Sequence, residues 1–380
     1  MVPPLTPQRI LIVRPSALGD VCRTVPVLAS LRRAFPEGRI DWLVQDDFAP
    51  AVAAHPDLTD IIGFPRAAFG RWWRSPRQAG ALFRWARELR RRRYDLAIDC
   101  QGLGRSGLFT WLTFAPRRVG HRGAREFAWM GYSVRHPRPE SPHTVDRMLS
   151  LLESEGIEPS RDMRLYLSEA DRLWWTARRA ELGIADAPYA VLAPTARWPS
   201  KRWPIERWGE LIRPLLKRGF EKILITGSPG EVDQVRGIKQ PGAGARSDRL
   251  VDMVGAASIG QTMALIARAG LVVANDSAPL HMAVGFNRRL VALFGPTEPA
   301  SVGPYRREEC VVRGFRPHPD QTVNFKDPKL GDSLMRLITV EDVLARVDEE
   351  LAHEPPATET GGGLVGCPAG TAERGLGEAR

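Results

Sequence analysis

The residues best equipped for chemistry sit where short apolar runs end. In "PSALGDV" (15–21), Asp20 stands where a helix begins after the apolar run Arg9–Val13. An aspartate there either caps the helix, which it does well, or faces a cleft as a general base. The helix dipole would keep such a base ionised, so it would need the substrate's help to take a proton. "APTARWPSKRWP" (193–204) gathers Thr195, Arg197, Lys201 and Arg202 in one loop, with Trp198 and Trp203 free to pack or stack and Pro204 placed to open a helix. That loop is either a solvated basic surface or an anion site. In "VVANDSAPLHMAVG" (272–285) a buried strand leads into Asp276 and Ser277, and Pro279 begins the next helix. Free backbone N–H groups there, with the Ser277 hydroxyl and His281 one turn in, would make a pyrophosphate cradle. The alternative is a cap at Asp276 or Ser277 and a packed His281. "VALFGPTEP" (291–299) repeats the design with Gly295 and Thr297. In "ITGSPGE" (225–231), Gly227 and Gly230 would let a base or ribose approach the backbone.

These turns need sheets to bring them together. Candidate strands in the first half are Ile10–Val13, Ile40–Val44, Ile61–Gly63 and Leu96–Asp99, with a helix expected over Val21–Ala34 from Val21, Val25, Leu28 and Leu31. After the polar, proline-rich "RHPRPESPH" (135–143) and a helix near Val145–Glu155, the pattern restarts. Strands are expected at 189–194, 222–227, 271–276 and 290–295, and helices at Ile205–Arg218, Ile259–Ala269, Leu280–Val284 and 340–351. Pro214 should kink or shorten the first of these helices. Such alternation favours α/β architecture with doubly wound parallel sheets, whose ligands bind beyond the carboxyl ends of the strands. We divide the 380 residues into halves at 1–168 and 169–350, with a disordered Gly/Pro-rich tail over 351–380.

Charge is concentrated. Of a net +10, the segment Arg66–Arg93 carries +9, from ten arginines and Glu88, interleaved with Trp72, Trp73, Phe83 and Trp85. The four cysteines (Cys22, Cys100, Cys310, Cys367) form no CxxC pair, which suits a reducing compartment and argues against a zinc site or disulfide framework. No apolar run reaches the ~18 residues of a membrane span, and Met1–Gln8 shows no signal-peptide pattern. HExxH, Walker A and GxSxG motifs are missing, and the seven histidines do not cluster as metal ligands.

Taken together, "ILIVRPSALGDV", "DCQGLGRSG" (99–107), "HTVDR" (143–147), "SKRWP" (200–204), "NDSAPLH" (275–281) and "LFGPTEP" (293–299) resemble glycosyltransferase family nine, the ADP-heptose:lipopolysaccharide heptosyltransferases. The resemblance runs from about Arg9 to Glu350. It implies the GT-B architecture, two Rossmann-like domains facing across a cleft, acceptor in the first and nucleotide sugar in the second. It implies Asp20 as catalytic base and Lys201 against the donor diphosphate. Asp276, Ser277, Ala278 and His281 would line diphosphate and sugar, helped by backbone N–H groups over 277–279. Thr195, Arg197 and Thr297 would be second contacts, and Asp252, with Gly227, would meet the ribose and base. Ala278 departs from the family's usual glycine and adds a methyl where backbone and phosphate meet.

The reaction implied is a single inverting displacement that needs neither metal nor cofactor, with ADP-heptose as substrate. The acceptor implied is the anionic inner core of a lipopolysaccharide precursor, gripped by Arg66, Arg71, Arg74, Arg77 and Gln101. Trp72 and Trp73 would touch lipid, and Arg84–Arg93 would hold the protein at the anionic cytoplasmic face of the inner membrane. Two other readings fit part of the chain: a family-nine enzyme with a different donor or glycan acceptor, and a nucleic-acid-binding protein using the Arg/Trp segment. The second would bind with steep salt dependence, yet the rest of the sequence is nearly neutral, so no nucleic-acid partner is expected.

Overall fold

The computed structural model describes residues 6–66, 70, 75–184, 187–238, 247–315, 324 and 326–353. Two wholly parallel six-stranded sheets organise them. The first contains β1 (Arg9–Val13), β2 (Arg39–Gln45), β3 (Asp60–Phe64), β4 (Leu96–Asp99), β5 (Arg117–His121) and β6 (Val134–His136), in the order β3-β2-β1-β4-β5-β6. The second contains β7 (Tyr189–Ala193), β8 (Lys222–Ile225), β9 (Leu250–Asp252), β10 (Leu271–Asn275), β11 (Leu290–Phe294) and β12 (Val311–Arg313), in the order β12-β11-β10-β7-β8-β9. Counted from its own first strand, each sheet has the same order. Strand order therefore reverses between β1 and β4 in one half and between β7 and β10 in the other. A reversal of this kind opens a crevice beyond the strand ends. Asp20 follows β1, Gln101 follows β4, Lys201 follows β7 and Asp276 follows β10. All four lie at the two crevices.

The central strands form because their runs are apolar on both faces, as a parallel sheet covered by helices requires. Ile10, Leu11, Ile12 and Val13 are fully buried, as are Leu271, Val272, Val273 and Ala274. Helices α1 (Leu18–Arg23), α2 (Val25–Ala34), α3 (Pro76–Arg91), α4 (Gly104–Leu112) and α5 (Thr144–Glu153) accompany the first sheet. Then come α6 (Glu169–Glu181), α7 (Ile205–Lys217), α8 (Val232–Val235), α9 (Ile259–Ala267), α10 (Ala278–Gly285), α11 (Pro299–Val302), α12 (Pro328–Arg336) and α13 (Val340–Ala352). Trp203 is core, meeting Trp208 edge-on at 5.4 Å and donating to the Ile338 carbonyl at 2.9 Å.

Several expectations are corrected. The helix expected over Val21–Ala34 starts at Leu18 and is broken at Thr24. Pro26 has no N–H to offer the Cys22 carbonyl, so the hydrogen-bond ladder lapses there. The first turn thus moves toward the strand, and Asp20 becomes its third residue. Conversely, α7 runs on through Pro214 to Lys217. Strands β5, β6, β9 and β12 were not foreseen; they are short and each carries an arginine or aspartate, and β6, β9 and β12 lie at a sheet edge. Cys22, Cys100 and Cys310 are buried free thiols, and burial pushes those of Cys22 and Cys100 up to about 12. No helix among the described residues is long and apolar enough to cross a membrane. Cys367 and the tail beyond His353 lie outside the described residues.

Candidate active site

Asp20 is clamped. Its carboxylate meets Arg14 at 2.9 Å and Arg23, three residues on, in a short contact. It also accepts from the Ala17 N–H at 3.3 Å, so capping and a cleft-facing position coexist. Both arginines are buried, whereas the Asp20 side chain keeps 25% of its surface open. Burial alone would raise its pKa, but Arg14 and Arg23 outweigh burial and hold the carboxyl far below the usual carboxylate range. Neither arginine is spent on Asp20 alone. Arg14 also donates to the Cys100 carbonyl at the end of β4, and Arg23 reaches the Val302 carbonyl of the second half at 3.1 Å. Gln101 steadies the same turn by accepting from the Ser16 N–H at 3.2 Å.

Across the crevice the second acidic centre is built differently. Asp276 is buried, and one oxygen, Oδ2, accepts from Lys201 Nζ at 2.6 Å and from the Thr297 hydroxyl at 2.7 Å. Asn275 ties the strand end to the basic loop, donating to the Pro194 carbonyl at 2.6 Å and accepting from the Trp203 N–H at 3.3 Å. Asp276 thereby fixes Lys201 and Thr297 in place, and the Thr297 hydroxyl points at the aspartate. Ser277 is the residue before α10, and its hydroxyl has no hydrogen-bond partner among the described residues. Pro279 has no N–H, so the donors at this helix start come from Ser277, Ala278 and Leu280 rather than from the whole 277–279 stretch.

His281 stands where the halves meet. A side chain on Gly19 would strike its ring at 2.8 Å and lie 3.5 Å from the Ala278 Cα, so only glycine lets α1 and α10 pack this closely. The ring is buried and its Nδ1 has no partner among the described residues. Burial, then Arg23, His143 and Lys201, push its pKa well down against the opposing pull of Asp20, leaving a neutral imidazole.

The remaining expected residues divide. The Thr195 hydroxyl donates to Glu231 at 3.0 Å, and Glu231 also accepts from the Ser228 N–H at 2.8 Å. Gly227 is explained by the protein's own packing: an added Cβ would meet Thr195 at 2.9 Å and Val254 at 3.2 Å, so the space foreseen for a base or ribose is already filled. Arg197 is exposed, its guanidinium 5.7 Å from the Trp198 ring centre. Asp252 is exposed and accepts from the Val254 N–H at 2.9 Å. Of the expected acceptor arginines, Arg66 and Arg77 are exposed on the surface, whereas Arg71 and Arg74, like Trp72 and Trp73, lie outside the described residues.

Sequence reasoning missed Arg14, Arg23, Arg105 and Glu231. Arg105 lies close enough to Arg66 to feel its charge, which adds to burial in lowering the Arg105 pKa. Glu231 was legible as the end of an S-x-x-E capping box, "SPGE". The "HTVDR" stretch also gains a place. His143 meets the Gly303 carbonyl at 3.3 Å, Thr144 donates to Ser301 O at 3.0 Å, and Asp146 accepts from Tyr305 at 2.6 Å.

Comparison with known proteins agrees with this layout. The family model described as glycosyltransferase family 9 (heptosyltransferase) matches residues 82–328. Lipopolysaccharide heptosyltransferase 1 of Pseudomonas aeruginosa is 32% identical over 314 residues, covering 80% of this chain and 82% of the relative. The structure of E. coli ADP-heptose lipopolysaccharide heptosyltransferase II superposes with a TM-score of 0.72 at 23% identity, covering 90% and 98% of the two chains. E. coli heptosyltransferase WaaC with ADP-2-deoxy-2-fluoro heptose gives 0.69 at 24%, covering 90% and 99%. The paired sheets are the GT-B architecture.

Proposed function

The chain belongs to glycosyltransferase family 9, the heptosyltransferases, and from that premise we propose that it transfers a heptose from ADP-heptose to the inner core of a lipopolysaccharide precursor, with inversion. The observation that carries the reading is the contact of Gly19 with His281. It brings a carboxylate with one open side against the start of a helix where the Ser277 hydroxyl and His281 Nδ1 have no partner among the described residues.

In this reading residues 1–168 form the acceptor half and 169–350 the donor half. The acceptor hydroxyl approaches Asp20. Its oxygen bonds to the anomeric carbon as the bond from that carbon to the β-phosphate oxygen breaks, and its proton passes to the Asp20 carboxylate. Two arginines make Asp20 a weak base, so the proton moves late, once bond formation has made the hydroxyl acidic. Charge growing on the departing ADP is met by Lys201, the Ser277 hydroxyl and the helix N–H groups. Those donors are fixed before reaction, and under this reading no metal is required. Neutral His281 can donate one hydrogen bond to donor phosphate or sugar without adding charge. Thr195, Arg197, Ala278, Thr297 and Asp252 are read as supporting the donor pocket, and Glu231, beside Thr195, joins Asp252 as a candidate acid for the ribose. Arg66, Arg77 and Gln101, with Arg105, form the described part of the acceptor side. The anionic, lipid-linked acceptor places the enzyme at the cytoplasmic face of the inner membrane.

Product analysis tests this directly. The protein is mixed with ADP-, UDP- or GDP-linked heptose and a sugar-acid–lipid acceptor, with and without a chelator. We expect a heptosylated product of inverted anomeric configuration from the ADP donor alone, undiminished by chelation. Turnover only with a UDP or GDP donor would remove the assignment of donor, and retained configuration would remove the direct displacement.

A further inference from the structure

Among the described residues, most of the large apolar side chains left in water belong to one part of the first half: Phe83, Leu108, Trp111, Phe114, Phe127 and Met130, between 46% and 73% exposed. Their elements adjoin one another. The helix α4 is packed on the short turn Ala128–Gly131 through Gly107, where any side chain would collide with Ala128. Leu108 and Trp111 share a face of α4, and Phe127 and Met130 share a face of the turn, by their spacing of three. The Trp111 and Phe114 rings meet at a tilt of 42° with centres 5.4 Å apart, and Arg90 of α3 covers the Phe114 ring at 4.0 Å.

Two features of this face gain nothing in water. Phe114 and Phe127 both adopt the left-handed backbone region, at φ 52° and 59°. A bulky aromatic is strained there, where glycine or asparagine is the ordinary choice. The surrounding surface is basic, with exposed Arg84, Arg87, Arg91, Arg122, Arg125 and Arg135 against the exposed acids Glu88 and Glu126. A second copy of the chain would press two such basic rims together, whereas an anionic surface would complement them.

We propose that this face docks the protein on an anionic bilayer, its apolar side chains entering the interfacial layer and its arginines binding lipid phosphates. Its residues are other than the tryptophans at 72 and 73 singled out in the sequence, and its use rests on the reading of a lipid-linked acceptor. The placement suits that use. The helix α4 starts at Gly104, just past the Gln101 that steadies the Asp20 turn, and its nine residues carry the chain only about 13 Å to the patch.

Vesicle flotation of the full chain tests the proposal, using phosphatidylcholine vesicles with and without phosphatidylglycerol. Wild type should float with the anionic vesicles. Phe127→Gly with Met130→Ser should lose about tenfold or more in affinity, while melting at the same or a higher temperature because the strain at Phe127 is relieved. Its turnover on a delipidated acceptor should match wild type. Equal flotation of variant and wild type would overturn the proposal, as would no flotation of wild type, or a wild-type dimer in light scattering that the variant abolishes. A fall in the variant's melting temperature would also count against it, marking Phe127 as structural. If wild type floats by this patch but transfers no heptose, docking stands and the transferase reading falls.

Discussion

The two aspartates at the crevices make an instructive pair. Each follows a central strand and each contacts cations, yet their surroundings differ in kind. Asp20 has two arginines and an open side, and both arginines are anchored elsewhere, on Cys100 and Val302. Asp276 is nearly closed off, and it gathers Lys201 and Thr297 onto a single oxygen. The first arrangement leaves a carboxylate available to a substrate and holds its charge. The second uses a carboxylate to aim other groups. Residue type and strand-end position alone do not separate a carboxylate open on one side from one that fastens its neighbours; the number of anchored partners and the open side do.

Replacing each aspartate by asparagine is the harshest test of that contrast. Asp20→Asn should lower kcat by about 10³-fold with ADP affinity unchanged by calorimetry. Asp276→Asn should instead weaken ADP binding about tenfold or more and lower the melting temperature, because it frees Lys201 and Thr297. If both variants lost ADP affinity alike, the distinction between base and fastener would collapse. Arg23→Met should cut kcat about tenfold and introduce an acid limb into the pH–rate profile, since Asp20 would keep only Arg14 to hold its pKa down; wild type should show no limb from Asp20 above pH 4. An unchanged profile would remove Arg23 from control of the base.

Acid stability sharpens the picture further. His55, His121, His143 and His281 all have pKa values lowered from 6.5, with burial the first cause in each. The unfolded chain binds their protons first, so stability should be full above pH 6.5 and fall progressively below it. Asp20, its carboxyl likewise depressed, acts in the same direction at lower pH: its contribution is full well above its unfolded value of 3.8 and is lost as the pH falls through and below it. Melting temperatures between pH 7 and pH 4 would show the histidine loss first. The smallest effect is expected from Thr297→Val, which removes one hydrogen bond to Asp276 and should cost about 1–2 kcal/mol in chemical denaturation, with little change in kcat.

Much of this was legible in the sequence, for physical reasons. Central strands such as Arg9–Val13 and Leu271–Asn275 are buried on both faces and announce themselves as apolar runs. The hydroxyl, lysine and histidine of the second crevice were visible because they cluster within two short loops. Arg14 and Arg23 were not, since their meaning depends on Cys100 and Val302, distant in sequence. Charged strands such as Arg117–His121 lacked a hydrophobic signature. Gly227 was noticed for the right rarity and the wrong neighbour: its missing side chain makes room for Thr195 and Val254.

The bonds from residues 143–146 to residues 301–305 have one more consequence. They work as a strap between the halves, fastened at three points in close succession. The strapped segment, α11 and the turn after it, begins just past Thr297, which grips Asp276, and Arg23 fastens to the same segment while gripping Asp20. Any hinge motion of one half against the other must drag this segment or unbuckle it. Torque between the halves is therefore delivered to both aspartates at once.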